Sequence, residues 1–428
     1  MSYSLSSSFS GHNLLNGFNW FDQNDLSQGS VAYQSKANAE AKGLFSVDEN
    51  TGVVRLKVDH ENQYSPGEGR PSIRLESREQ HNHGLFIADF LHMPPSRCGL
   101  WPAFWAYGSD WPNGGEIDII EGVNTMKHTS ITAHTKDGCK LQTTPEGIDD
   151  AFSGIQAGSD CGRSKKNNIG CGYDPPQHDN STYGDGFNAV NGGVYAMLWN
   201  SKHMKVWHFP RGHIPSDIEA KRPDPKNWKT PMAVFGGSGC DIDSYFKDLR
   251  LVINTNFCGD WGNALWGKKD ECNMLAPTCA EYVARSPEAF VDAYWDIQYI
   301  DTYQLPDDDV VKAQAVKPVA HVRSMTHASN TLGGLSAAGK NLSSPGFSEA
   351  DLTTRRPADG QPTSTTAFQL EHTAATTNAE ASVSQTSTQL AVPTSLSPLD
   401  VLVSSGTRIL AAPALILSVA AMIAALKW

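Results

Sequence analysis

Short runs of β-branched and aromatic residues, parted by Gly, Pro and Asn, fill the chain as far as Gln304. Gly52–Val58, Ser72–Glu76, Gly193–Trp199, His203–Phe209 and Asp248–Asn254 are examples, and several alternate apolar and polar positions. Strand side chains alternate between faces, so this pattern predicts half-buried antiparallel strands. Helical spacing is scarce, with Ser286–Asp292 the best short candidate. Many strands with frequent turns predict an all-β sandwich.

After Gln304 the pattern stops. Residues 305–403 are rich in Ser, Thr, Ala and Pro and poor in aromatics. Such a segment cannot bury enough apolar surface to offset its ordering entropy, so it is expected to be a disordered, O-glycosylated stalk. Ile409–Leu426 is an uncharged apolar run of eighteen residues, just long enough for a membrane span. Its place at the end of the chain predicts that 404–428 is a GPI-attachment signal, with a tail-anchored span as the alternative. Asn180 and Asn341 begin N-glycosylation sequons. Met1–Phe9 has neither a basic nor an apolar leader segment, so a signal peptide is expected to be missing from this chain.

Composition sharpens the boundary. Ten of the eleven tryptophans and all eight cysteines fall within residues 1–304, so only that part can build a large core. A net charge of −12 argues against a nucleic-acid partner, whose phosphates need a basic face. The cysteines are Cys98, Cys139, Cys161, Cys171, Cys240, Cys258, Cys272 and Cys279. They include no CxxC pair, which excludes the usual zinc site and favours a disulfide framework in an oxidising compartment. Cys272 and Cys279 are each expected to be bridged.

The chemistry lies in Asn113-Gly-Gly-Glu-Ile-Asp-Ile-Ile-Glu-Gly-Val-Asn124. Three acids on an isoleucine-rich strand are unusual unless they are paired or working. Glu116 and Asp118 share a face by alternation, which would turn Glu121 away. One extra residue at Ile119–Ile120, a β-bulge, returns Glu121 to their side. Three convergent carboxyls suit glycoside cleavage with retention, which needs a nucleophilic carboxylate and a proton-donating carboxylic acid close together. A third acid can share the proton and separate their pKa values. A calcium-binding strand or a solvated acidic face would use the same residues.

The surrounding motifs narrow that choice. Arg97-Cys-Gly-Leu-Trp101-Pro-Ala-Phe-Trp105, followed by Trp111-Pro-Asn-Gly-Gly-Glu116-Ile-Asp118-Ile-Ile-Glu121-Gly, resembles the signature of family sixteen glycoside hydrolases. The likeness is strongest to the fungal laminarinase-like branch, the endo-1,3(4)-β-glucanases. Arg70–Ser77, Gly84–Asp89, Gly192–Ala196, Val206–Arg211 and Asn256–Trp261 resemble that branch in order, so the likeness runs from about Phe9 to Gln304. Leu198 departs from it, standing where the branch has a Glu. The resemblance implies a concanavalin-like β-jelly roll whose concave sheet forms a substrate groove. It also implies Glu116 as nucleophile, Asp118 as its assistant and Glu121 as acid/base. Gly138–Asn188, rich in Gly, Asp, Asn and Cys, is then expected to form disulfide-pinned loops over the groove rim.

Sugar rings present flat C–H faces that stack on aromatic rings. Trp105 and Trp111, with Trp101 and Trp261, are candidate platforms, whereas Trp199 and Trp207 read as core. His134 is placed by the resemblance near the acid/base, and Arg74 and Asn38 are candidates for contacts to sugar hydroxyls and the nucleophile. The expected activity is endo-hydrolysis of β-1,3 or mixed β-1,3(1,4)-glucan by a monomer at the cell surface or wall, held to the membrane by its C-terminal anchor. No cofactor or metal is expected. A wall transglycosylase, a non-catalytic glucan-binding lectin and a structural wall protein are the alternatives. The extra isoleucine favours hydrolysis over transfer, and the retention of both glutamates disfavours a lectin.

Overall fold

The computed structural model describes residues 3–142, 151–164, 168–268 and 270–305. Its strands in chain order begin with β1 Ser4–Phe9, β2 Phe18–Trp20, β3 Val31–Tyr33, β4 Phe45–Val47, β5 Val54–Lys57 and β6 Arg70–Ser72. They continue with β7 Arg74–Ser77, β8 Gly84–His92, β9 Leu100–Gly108, β10 Glu116–Glu121, β11 Ile131–His134 and β12 Ile155–Gly158. The last are β13 Cys171–Asp174, β14 Gly193–Trp199, β15 His203–Pro210, β16 Ala233–Gly236, β17 Leu249–Phe257 and β18 Tyr294–Gln304. Short helices intervene: α1 Gly11–Gly17, α2 Lys36–Ala41, α3 Gly184–Ala189, α4 Ser216–Glu219, α5 Ile242–Tyr245, α6 Gly259–Leu265 and α7 Cys279–Arg285.

Most of the strands form two eight-stranded sheets. One runs β16-β15-β14-β8-β18-β5-β4 with β1 added on β18; the other runs β12-β13-β11-β10-β9-β17-β7-β2. All pairings in both are antiparallel, and the neighbours are often distant in sequence, as in a jelly roll. The expected sandwich is therefore present. Phe86, Ala88, Phe90, Tyr195, Met197 and Trp199 from the first sheet meet Phe104, Ala106, Ile117, Ile131, Leu251 and Ile253 from the second in one core.

The middle of the first sheet, around β8 and β14, is buried on both sides, which the half-buried reading of Gly193–Trp199 did not anticipate. Its outer face carries Leu85, Ile87, Val194, Leu198 and Trp207, packed with Ile218 of α4 and Trp228 into a second apolar cluster. Leu198 belongs there, on the sheet that does not carry the acids, so its departure from the family pattern leaves the acid strand untouched. Trp199 and Trp207 are core, as expected. The candidate helix at Ser286–Asp292 is instead a 3-10 turn, Pro287–Phe290. The seven-residue helices α1, α6 and α7 were too short for periodicity to reveal.

All eight cysteines are paired, as Cys98–Cys272, Cys139–Cys240, Cys161–Cys171 and Cys258–Cys279. The bridges Cys98–Cys272 and Cys139–Cys240 span sequence separations of 174 and 101, loops for which chain entropy predicts about 4–5 kcal/mol of stabilisation each. The stretch Gly138–Asn188 is more ordered than loops alone. It contributes β12 and β13, which extend the second sheet beyond β11, and the short helix α3. The expectations for the stalk, the anchor and the Asn341 sequon lie outside the described residues, and among those described no helix is long and apolar enough to cross a membrane.

Candidate active site

The acids line the face of the second sheet that points away from the core. On β10, Glu116 stands opposite Tyr107, Asp118 opposite Trp105 and Glu121 opposite Ala103 of β9. The register slips between Asp118 and Ile120, so Ile119 is an inserted residue. Ile117, Ile119 and Ile120 all enter the core. Two successive inward isoleucines are what the bulge requires, and they bring Glu121 back to the side of Glu116 and Asp118. The turn into β10 depends on Gly115, whose φ of +76° and close approach to Tyr245 and Phe246 leave no room for a side chain.

Two indoles hold the outer acids. The Trp101 Nε1–H donates to Glu121 Oε1 at 2.8 Å, and the Trp111 Nε1–H donates to Glu116 Oε2. Asp118, 2% exposed, lies between them. Its Oδ2 has no hydrogen-bond partner among the described residues and faces His134 Nε2 at 3.7 Å. His134 itself stands opposite Glu116 on β11.

Burial in this face pushes all three carboxyls upward. Glu116 reaches about 7, with the Trp111 hydrogen bond and the positive charges of Arg74 and Arg163 pulling the other way. Glu121 reaches about 8, restrained by Trp101 and raised further by Glu116. Asp118 is raised well above the usual carboxylate range by burial, then by Glu121 and Glu116. Burial and Arg163 push His134 down to about 4, which keeps it neutral. The site therefore favours protonated carboxyls around neutral pH, as a coupled set.

Raised carboxyl pKa values also set a stability test. Their contribution to folding is complete below the unfolded carboxylate range and is lost progressively as pH rises from the unfolded value of 4.5 to the folded values of about 7 and 8. Glutamine mimics a glutamic acid that keeps its proton. Glu121→Gln should therefore melt with the natural protein at pH 5 and roughly 2–4 °C above it at pH 9. Equal melting differences at both pH values would mean that Glu121 is not strained by ionisation.

The other candidates are distributed unevenly. Trp105 shares the acid face, its Nε1–H donating to Asn254 Oδ1 at 2.7 Å. Trp261 on α6 meets Trp101 edge-on, ring centres 5.8 Å apart. Arg74 is on this sheet but is engaged: it pairs with Glu76 at 2.7 Å and lies 4.5 Å from the Phe21 ring centre and 5.0 Å from that of Trp105. Asn38 is an exposed residue of α2 rather than a strand residue. Ser35 caps that helix and Ala39 anchors it in the core, which leaves Asn38 outward and unconnected to the acids. Tyr107, Asn254, Asn256 and Arg163 went unnoticed in the sequence. Alternation along β17 could have found the two asparagines, whereas nothing local marks Arg163.

Glu116, Asp118 and His134 offer ligand atoms within 4.8 Å of one another. A divalent cation there would compete with the protons that burial retains on the same carboxyls.

Residues 18–303 match the family model described as the XgeA-like, catalytic domain of glycoside hydrolase family 16. The chain is 40% identical over 305 residues to the endo-1,3(4)-β-glucanase of Arthroderma benhamiae, covering 71% of this chain and 65% of that protein. Among solved structures, an elongating family 16 β-1,3-glucosyltransferase aligns with 42% identity and a TM-score of 0.65, over 71% of this chain and all of that one. Laminarinase 16A of Phanerochaete chrysosporium, solved with two 6-O-glucosyl-laminaritriose molecules in its donor and acceptor sites, aligns with 36% identity at the same TM-score of 0.65 and the same coverage.

Proposed function

The chain belongs to glycoside hydrolase family 16, and on that footing we propose that it is a retaining, endo-acting β-glucanase of β-1,3 or mixed β-1,3(1,4)-glucan. The observation that carries this reading is the bulged strand that turns Glu116, Asp118 and Glu121 to one open face, with an indole N–H on each outer acid. Aromatic groups flank the acids on the same side, as a flat sugar ring requires.

The roles are those the family resemblance assigns to the three acids in their order along the strand. Glu116, which the Trp111 hydrogen bond and the charges of Arg74 and Arg163 draw toward the carboxylate form, attacks the anomeric carbon. Glu121, held protonated by burial and raised further by Glu116, gives its proton to the departing glycosidic oxygen, so one C–O bond forms as the other breaks. Glu121 is then a carboxylate, and it takes a proton from the water that attacks the glycosyl-enzyme and frees Glu116. Asp118, protonated between them, lends a hydrogen bond to whichever glutamate is negative, and neutral His134 stands beside it. No step calls for a metal or cofactor.

The kcat/KM profile should accordingly be bell-shaped. Its acid limb follows protonation of Glu116 and its basic limb the loss of the Glu121 proton, each a property of the coupled pair. Asp118→Asn removes the shared proton, so the limbs should move and the maximum fall. An unmoved profile would take Asp118 out of the mechanism.

Transfer is the second reading, favoured by the 42% identity to a protein described as an elongating glucosyltransferase. There a sugar hydroxyl replaces water in the second step. Digesting laminarin, lichenan and chitin-glucan side by side separates the possibilities. Hydrolysis predicts ever shorter oligosaccharides from the first two. Products longer than the substrate would make the chain a transferase, and binding without cleavage a lectin. The Ser/Thr-rich tail, the apolar C-terminal run and the disulfides support placing it at the cell surface or wall, held by an anchor.

A further inference from the structure

Arg163 reaches the acid strand from outside the motif. Residues Cys161–Arg163 run beside Thr135, the residue that follows β11. Thr135 N–H donates to Cys161 O and Arg163 N–H donates to Thr135 O, both at 2.8 Å. The Cys161–Cys171 bridge ties the same segment to β13, which pairs with β11. Arg163 is thus fixed one residue beyond the strand end that carries His134. Its guanidinium lies 4.5 Å from the ring centre of Trp111, the indole that donates to Glu116 Oε2.

Trp111 would otherwise be loosely held. It lies in the turn before β10 and is 36% exposed. An indole free to rotate there would release Glu116. We propose that Arg163 is a positioning residue for the nucleophile: it clamps Trp111 so that the indole N–H stays on Glu116. A guanidinium is attracted to the negative face of an indole ring, and at 4.5 Å that attraction biases the Trp111 rotamer.

The groups that face Glu116 support this division of labour. Its own strand supplies Asp118 and Glu121, β9 supplies Tyr107, β11 supplies His134 and β7 supplies Arg74. The charge of Arg74 is offset by Glu76 at 2.7 Å. Both arginines pull Glu116 downward against burial, and Arg163 adds to the burial that keeps His134 neutral. Because Arg163 is exposed, its electrostatic part should weaken with salt.

The inference rests on the glucanase reading, so the natural chain is assayed on laminarin first. Absence of cleavage there would sink that reading alone. In Arg163→Ala the acid limb of kcat/KM should then move up by roughly half to one pH unit, with kcat/KM lowered about 3–10-fold below the limb. The basic limb should stay, and Arg163→Lys should return the acid limb most of the way. A readout independent of turnover is acrylamide quenching of Trp111, taken as the difference between each chain and its Trp111→Phe counterpart. Quenching should rise in Arg163→Ala and in the near-isosteric Arg163→Gln. An unmoved acid limb, or Trp111 quenching unchanged in both variants, would overturn the proposal.

Discussion

Glu116→Ala should lower turnover of laminarin by roughly 10⁴-fold or more, because it removes the carboxylate assigned to form the covalent bond. Alanine leaves a space beside Trp111 where the carboxylate stood. Added azide can fill it and attack the anomeric carbon directly while Glu121 still protonates the leaving oxygen. That is one displacement in place of two, so the glycosyl azide should carry inverted configuration. A retained azide product would mean that another group forms the glycosyl-enzyme, and the assignment of Glu116 would fall.

The second large effect depends on the leaving group. Glu121→Ala should slow cleavage of natural glucan about 10²–10⁴-fold, since a sugar hydroxyl departs poorly without a proton. Aryl glucosides that leave as stable phenolates need no such help, and with them the first step should stay fast. Water attack then lacks its base, so the glycosyl-enzyme should accumulate on Glu116 and appear as a burst of phenolate. Azide needs no base and should release it as a product of retained configuration. Equal losses on glucan and on activated aryl substrates, without a burst, would remove Glu121 from the acid/base role.

Much of this site was legible because strands expose their logic in a period of two. Three acids and a doubled isoleucine define one face and one bulge, and both appear in the register of β10 against β9. The four-residue spacing of Trp101 and Trp105 likewise placed both on the acid face. Alternation assigns a face but not a partner. It could not tell that Trp101 and Trp111 act through their N–H groups, or that Arg74 is occupied by Glu76. Asn38 misled because a six-residue helix has no periodicity to detect. Arg163 was invisible for another reason: its position is set by a disulfide and two backbone bonds to a strand 28 residues earlier. The double burial at the middle of the first sheet escaped because what covers Val194 and Leu198 comes from remote segments at Ile218 and Trp228.

The most direct test of the account is the configuration of the first product of the natural chain. Proton NMR of a laminarin digest, recorded before mutarotation sets in, resolves the anomeric signals at newly formed reducing ends. Two displacements, through Glu116 and then water, predict that the β-anomer appears first and the α-anomer only later as the sugar equilibrates. An α-anomer appearing first would mean a single displacement by water, and the roles of nucleophile and acid/base assigned here to Glu116 and Glu121 would be contradicted.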